Sequence, residues 1–286
     1  MFAVHRIDDY TANSAVFVQD LIEKVKGRGV EYQCGDIGMI EDIAQVKRVD
    51  DSKESIKDPP SKVLATSTTK KLPGYQITTK DGSTHEFDYV VLSAGVNTPL
   101  FARKLSVGDA CPTYPLRGYS LTVYTNHTQE KEIKKGRSTN LLNMPISIDD
   151  MYCSSVGANQ ARMAGFGELV GYRDKAVDVP SLAPRIMARY CRALFPESNV
   201  TEEQALQCFR PCSPDDIPIV GEVKSSPGLY MHTGHGTLGW TLCLATSECL
   251  AQALYDDIKG NETDDVYQLP GNITVDRATL SPNRFL

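Results

Sequence analysis

Phe17, Leu21, Ile22 and Val25 recur at the spacing of one helix face, with Asn13 placed to cap the start and Gly27 and Gly29 to close the end. Val30–Gln33 and Met39–Val46 then have the pattern of strands. From 50 to 74 the apolar positions thin out and Ser, Thr, Lys and Pro take over, which predicts a flexible insertion without a core of its own. Tyr75–Thr79 and Thr84–Leu92 flank Lys80-Asp81-Gly82-Ser83, and the Asp-Gly step predicts a hairpin turn. The second arm runs into Tyr89-Val90-Val91-Leu92, an unbroken apolar run typical of a strand covered on both faces, and ends in the small residues Ser93-Ala94-Gly95.

The pattern changes beyond residue 106. Pro112–Tyr124, Asp150–Ser155 and Ala161–Phe166 have the β-rich character of a separate sheet, followed by a helix capped by Ser181 with Ile186, Met187, Tyr190 and Leu194 inward. The chain then returns to its first domain through Leu206–Ile219, a strand at Leu229–His232 and a helix beginning around Gly239. That helix buries Leu242, Ala245, Cys249, Leu250, Ala253 and Leu254 on the expected pattern. Asn261–Leu286, rich in Asn, Asp, Pro and Gly, is expected to contain no buried strand. The expected fold class is α+β (α/β) with two discontinuous domains: 1–106 and 201–260 form one, 107–200 a mixed-sheet insertion, and 261–286 a tail. The ligand is expected between the domains.

Composition narrows the function classes. With 286 residues, 41% of them apolar, the chain can bury one large core or two smaller ones. A net charge of −6 without any long basic stretch argues against a nucleic-acid partner. No apolar stretch approaches the roughly 20 residues of a transmembrane helix. Met1–Val18 carries Asp8 and Asp9 and lacks a basic start before an apolar run, so it does not read as a secretory signal. The eight cysteines form no C-x-x-C pair and have no histidine at zinc-finger spacing, which points to reduced thiols and no metal.

Gly234-His235-Gly236-Thr237-Leu238-Gly239-Trp240-Thr241 satisfies G-x-G-x-x-G between a strand and a helix. A dinucleotide fingerprint of this kind opens a βαβ unit and is followed by a second buried strand bearing an acid. Neither feature follows here. The loop's chemistry therefore comes from the helix behind it, whose free N–H groups and dipole favour a negatively charged group.

Four ordered motifs give a resemblance. The 234–241 stretch is similar to the C-terminal flavin motif of bacterial D-amino-acid dehydrogenases, in the D-amino-acid oxidase and glycine oxidase superfamily. Phe209-Arg210-Pro211-Cys212-Ser213-Pro214-Asp215-Asp216-Ile217-Pro218-Ile219-Val220-Gly221 resembles its (L/W)-R-P-x-(T/S)-P-D-G-x-P-x-x-G, and Pro115-Leu116-Arg117-Gly118-Tyr119-Ser120-Leu121 its P-(L/V)-K-G-Y-S-L. Phe87–Gly95 resembles its V-V-x-A-x-G strand and turn. The resemblance implies FAD, a partial Rossmann-like FAD-binding domain with an inserted substrate domain, and an N-terminal FAD-binding segment that this chain lacks. It implies oxidation of the Cα–N bond of a D-amino acid to an imino acid, then an oxo acid and ammonia, with a quinone or oxygen as electron acceptor. The cytoplasm or mitochondrion is the expected location.

The resemblance also implies residue roles. Arg210 would bind the substrate carboxylate, since its planar guanidinium can grip it bidentately; the alternative is a structural arginine paired with Asp215 or Asp216. Tyr152 and Tyr119 would hydrogen-bond the carboxylate or amine, or else be core or interface tyrosines. Ala94, Gly95, Gly234, His235, Gly236, Thr237, Leu238, Gly239 and Trp240 would contact the flavin, with His235 a positional loop residue or a simple turn residue. Two alternatives remain open: a catalytically silent subunit that binds a partner chain, and the same chemistry on glycine, sarcosine or a cyclic imino acid.

Overall fold

A computed structural model describes residues 3–5, 13–46, 73–124, 146–157, 160–172, 180–196 and 198–286. Its strands are β1 (Ala3–His5), β2 (Ile40–Val46), β3 (Gly74–Thr79), β4 (Thr84–Phe87), β5 (Val90–Leu92), β6 (Tyr114–Tyr124) and β7 (Ile146–Ile148). They continue with β8 (Met151–Gly157), β9 (Gln160–Leu169), β10 (Leu206–Cys212), β11 (Ile219–Glu222), β12 (Leu229–Thr233), β13 (Val266–Leu269) and β14 (Ile273–Asp276). The chain forms two compact units, residues 1–32 with 115–210 and residues 33–114 with 211–286. The sequence pattern placed residues 1–32 with the first domain. In the structure they join the inserted sheet because β1 pairs with β7.

The first unit is built on a six-stranded sheet in the order β1-β7-β8-β9-β6-β10. Register decides which side chains share a face, because residues directly opposite on neighbouring strands point the same way. Met151, Gly165 and Tyr119 form one row across β8, β9 and β6, and Tyr152, Ala164 and Ser120 form the next. The first row belongs to the core face, where Tyr119, Leu121, Val123, Met151, Cys153 and Met163 pack against Met187 and Cys191 of the helix Ala183–Leu194. Ser181, expected to cap that helix, accepts from Ala183 N at 3.0 Å, but the N-cap position itself is Leu182. Ile186, expected inward on that helix, is exposed.

The helix Ser14–Lys26 forms as expected, with the Asn13 side chain accepting from the Ala15 and Val16 N–H groups. Its apolar stripe buries no residue, and Phe17 and Leu21 lie exposed. Val30–Gln33 is not a strand.

The second unit contains the sheets β2-β3-β4 and β11-β12-β5 and the hairpin β13-β14. The Asp81 carboxylate holds the β3–β4 turn by accepting from Thr79 Oγ1 at 2.6 Å and Ser83 N at 3.0 Å. The long second arm read from the sequence is broken at Asp88-Tyr89. Beyond the break β5 leaves the hairpin and pairs in parallel with β12, which gives Val90 and Leu92 their burial. The last 26 residues are not a loose tail: Tyr267 on β13 and Leu280 are buried with Val220, Tyr230, Cys249 and Ala253. One wide-spaced aromatic and one leucine are enough to dock this segment, a pattern too sparse to register as a buried strand. Of the insertion expected at 50–74, residues 50–72 lie outside the described residues, and β3 already begins at Gly74.

Candidate functional site

The residues singled out from the sequence fall into two groups, one in each unit. In the second unit, β5 and β12 run parallel, so their C-terminal ends reach the same edge of the sheet, the edge where open α/β sheets take ligands. After β5 the chain turns through Ser93 and Ala94 into a short 3₁₀ turn at Gly95–Asn97, with Gly95 at φ +58°. After β12 it turns through Gly234, at φ +76°, and His235 into a 3₁₀ turn at Gly236–Leu238 and the helix Gly239–Lys259. Thr233 Oγ1 donates to Gly95 O at 3.4 Å and ties the two turns together. No side chain caps the helix start, where Leu238 is the N-cap. The dipole end is thus left to Gly236, Thr237, Leu238, Gly239 and Trp240, with the Leu238 and Trp240 side chains exposed.

A polar cluster holds this loop from below. The Nε2 atoms of His232 and His235 lie 2.9 and 3.0 Å from Thr246 Oγ1, and the imidazole rings meet edge to face at 4.8 Å. Thr246 Oγ1 also bonds Leu242 O at 3.0 Å, so its single hydrogen points into the helix and its lone pairs face the imidazoles. Burial, then the neighbouring His235, pushes the His232 pKa down to about 4, and burial lowers that of His235. Both rings are neutral near pH 7. No cluster fit for a metal exists among the described residues. His232 and Thr246 escaped the sequence reading, which put Ala245 in the buried stripe; Ala245 is exposed and Thr246 is buried.

In the first unit, Arg210 on β10 donates from Nη1 to Phe166 O at 2.8 Å and from Nη2 to Gly165 O at 3.5 Å. Those carbonyls face it because β9 is irregular there. Phe166 takes φ +61°, and the β6–β9 register shifts between Arg117 and Tyr119. Gly118, inside that shift, lets the guanidinium lie flat on β6, since an added Cβ would overlap it. Asp215, named as an alternative partner for Arg210, instead forms a two-pronged pair with Arg284 at 2.8 and 3.0 Å, which holds its pKa down at about 2. Asp216, standing where the resemblance has glycine, keeps that turn at φ +57°.

Tyr152 lies on the face of the sheet opposite the core and is half exposed. The contact of Gly118 with Arg210 places the guanidinium on that same face, since Gly118 and Ser120 alternate with Tyr119 along β6. Tyr119 does not join them. It is 4% exposed on the core face, and its hydroxyl donates to Glu168 Oε2 at 3.3 Å beside Arg117 Nε at 2.8 Å and the Ser181 hydroxyl. Burial would raise the Glu168 pKa, but the bonds from Ser181 and Arg117 hold it below the ordinary value.

Comparison with known proteins fits this geometry. A family model described as FAD dependent oxidoreductase (DAO) matches residues 3–253. A D-amino acid dehydrogenase from Agrobacterium fabrum is 31% identical over 182 residues, 62% of this chain and 38% of that protein. One from Vibrio vulnificus is 26% identical over 261 residues, covering 89% of this chain and 51% of its own length. The chain thus spans about half, or less, of the curated relatives it matches. Among solved structures, a modified fructosyl peptide oxidase from Aspergillus nidulans superposes with a TM-score of 0.57 at 14% identity, over 85% of this chain and 55% of that one. Glycine oxidase from Geobacillus kaustophilus gives 0.52 at 18% identity, over 74% and 49%. These two establish the fold.

Proposed function

Since this chain belongs to the DAO family of FAD-dependent oxidoreductases, we propose that its protein oxidises the Cα–N bond of a D-amino acid to an imino acid, which water converts to an oxo acid and ammonia. The observation that carries this reading is Arg210, set flat on the sheet by Gly118 and the Phe166 carbonyl, with Tyr152 on the same face. Two of its five N–H groups are spent on backbone carbonyls, and the rest suffice for a carboxylate. Tyr152 adds a hydroxyl for the carboxylate or amine. Tyr119 takes no part, because its hydroxyl is committed to Glu168.

The residues fit FAD on an observation of their own: two small-residue turns at the C-terminal edge of parallel strands, beside a helix start that no side chain caps. When bound, FAD accepts the hydride that leaves the substrate Cα. Ala94, Gly95 and the 234–240 loop would hold it, with backbone N–H groups and the helix dipole facing its electron-rich side. The neutral His232–His235–Thr246 cluster fixes that loop without adding charge beneath it.

Arg210 is the test. In the flavin-containing protein, Arg210→Ala should lower kcat/KM for D-amino acids by on the order of 2–5 kcal/mol, the scale for truncating one partner of a buried charge pair. Arg210→Lys should recover only part of the loss, because the planar fork is gone. Unchanged kcat/KM in Arg210→Ala would assign this residue to structure alone.

A further inference from the structure

The face of the sheet that carries Arg210 and Tyr152 holds a second arginine. Arg162 on β9 pairs in register with Ser154 on β8 and Thr122 on β6, so it sits two rows beyond Tyr152, Ala164 and Ser120 and on the same side. Its Nε is buried without a hydrogen-bond partner, while the residue as a whole is partly exposed. The stem is therefore pinned against the sheet and the outer end of the guanidinium remains accessible. A buried N–H without a partner is unfavourable, and no strand position on this face carries a carboxylate among the described residues. A structural arginine normally acquires a partner such as the one Arg117 has in Glu168 on the core face. Among the described residues Arg162 forms no ion pair, and the residues in register with it are Ser154 and Thr122.

We propose that Arg162 binds a second carboxylate of the substrate, so that the preferred substrate class is an acidic, dicarboxylic D-amino acid. The proposal rests on the reading of Arg210 given above. Thr122 lies four residues along β6 from Gly118, about 13 Å of strand. With the Arg210 guanidinium held over Gly118, a substrate with one carboxylate at each guanidinium bridges the part of that gap that the Arg162 side chain leaves open. A cation already immobilised against the sheet loses little freedom on binding, which favours a charged side chain over its neutral isostere.

D-glutamate and D-glutamine differ in that charge at nearly the same shape, and their ratio of kcat/KM in the flavin-containing protein is the readout. The wild type should prefer D-glutamate by roughly tenfold or more, the scale of a charge-assisted pair. Arg162→Gln should bring the ratio close to one by lowering kcat/KM for D-glutamate, and Arg162→Lys should keep part of the preference. A wild-type ratio near one, with turnover still dependent on Arg210, would overturn the second-carboxylate site and leave the reading of Arg210 standing. So would a preference that survives Arg162→Gln. If neither amino acid reacts and Arg210→Ala changes nothing, the underlying reading falls and this proposal with it.

Discussion

A single glycine decides whether Arg210 can act. Gly118 is followed by Tyr119 in the motif, and from the sequence the tyrosine is the more attractive residue, having a hydroxyl to offer. The register reverses their importance: Tyr119 turns into the core towards Glu168, while the missing side chain at Gly118 makes room for the guanidinium. Gly118→Ala should therefore push Arg210 off the sheet. Its effect on kcat/KM for D-amino acids should approach that of Arg210→Ala, while the unfolding midpoint moves little, the usual result for a methyl that displaces a mobile side-chain end. A Gly118→Ala protein with normal kcat/KM would mean that Arg210 works from another position. Arg210 itself was legible because Arg-Pro and Pro-Asp surround it in a spaced motif. The face on which each tyrosine lies was not, because alternation is counted from a register that the shift at residues 117–119 resets.

The helix Gly239–Lys259 and the strand that feeds it form the element on which the proposed cofactor contact depends. Its start, its left-handed Gly260 stop and most of its buried stripe follow from glycine placement and a 3.6-residue period. Thr246 does not, because a threonine in an apolar stripe reads as polar until the two histidines that use its hydroxyl are placed. The cluster has a consequence for pH. The folded-state pKa of His232 is about 4, below the ordinary 6.5, so between these values the unfolded chain binds more protons than the folded one. Its contribution is then fully present above pH 6.5 and is lost as the pH falls towards 4, roughly 3 kcal/mol in all. Denaturant unfolding at pH 7.5 and 4.5 should give a smaller loss of stability for His232→Gln than for the wild type. An identical loss in the two proteins would mean that His232 charges alike in the folded and unfolded states.

At the scale of the whole molecule, the two discontinuous units could be read in outline from the change to β-rich patterning and the return through Leu206–Ile219. The edges could not. β1 is three residues long and is placed by pairing with β7, 141 residues further on at His5–Ile146 and 145 at Ala3–Ile148. The closing segment docks through Tyr267 and Leu280, and Arg284 clamps Asp215, contacts no local pattern announces. The central claim is the proposal that this chain supplies the substrate carboxylate site and, at residues 94–95 and 234–240, contacts for a flavin. Flavin content tests it most directly, measured as visible absorbance of the purified 286-residue chain with and without the segment of the Vibrio vulnificus relative that this chain does not match. The account predicts a colourless chain alone and, with the segment, stoichiometric flavin that a D-amino acid bleaches in the absence of oxygen. Stoichiometric flavin on the chain alone, or none after the segment is added, would contradict it.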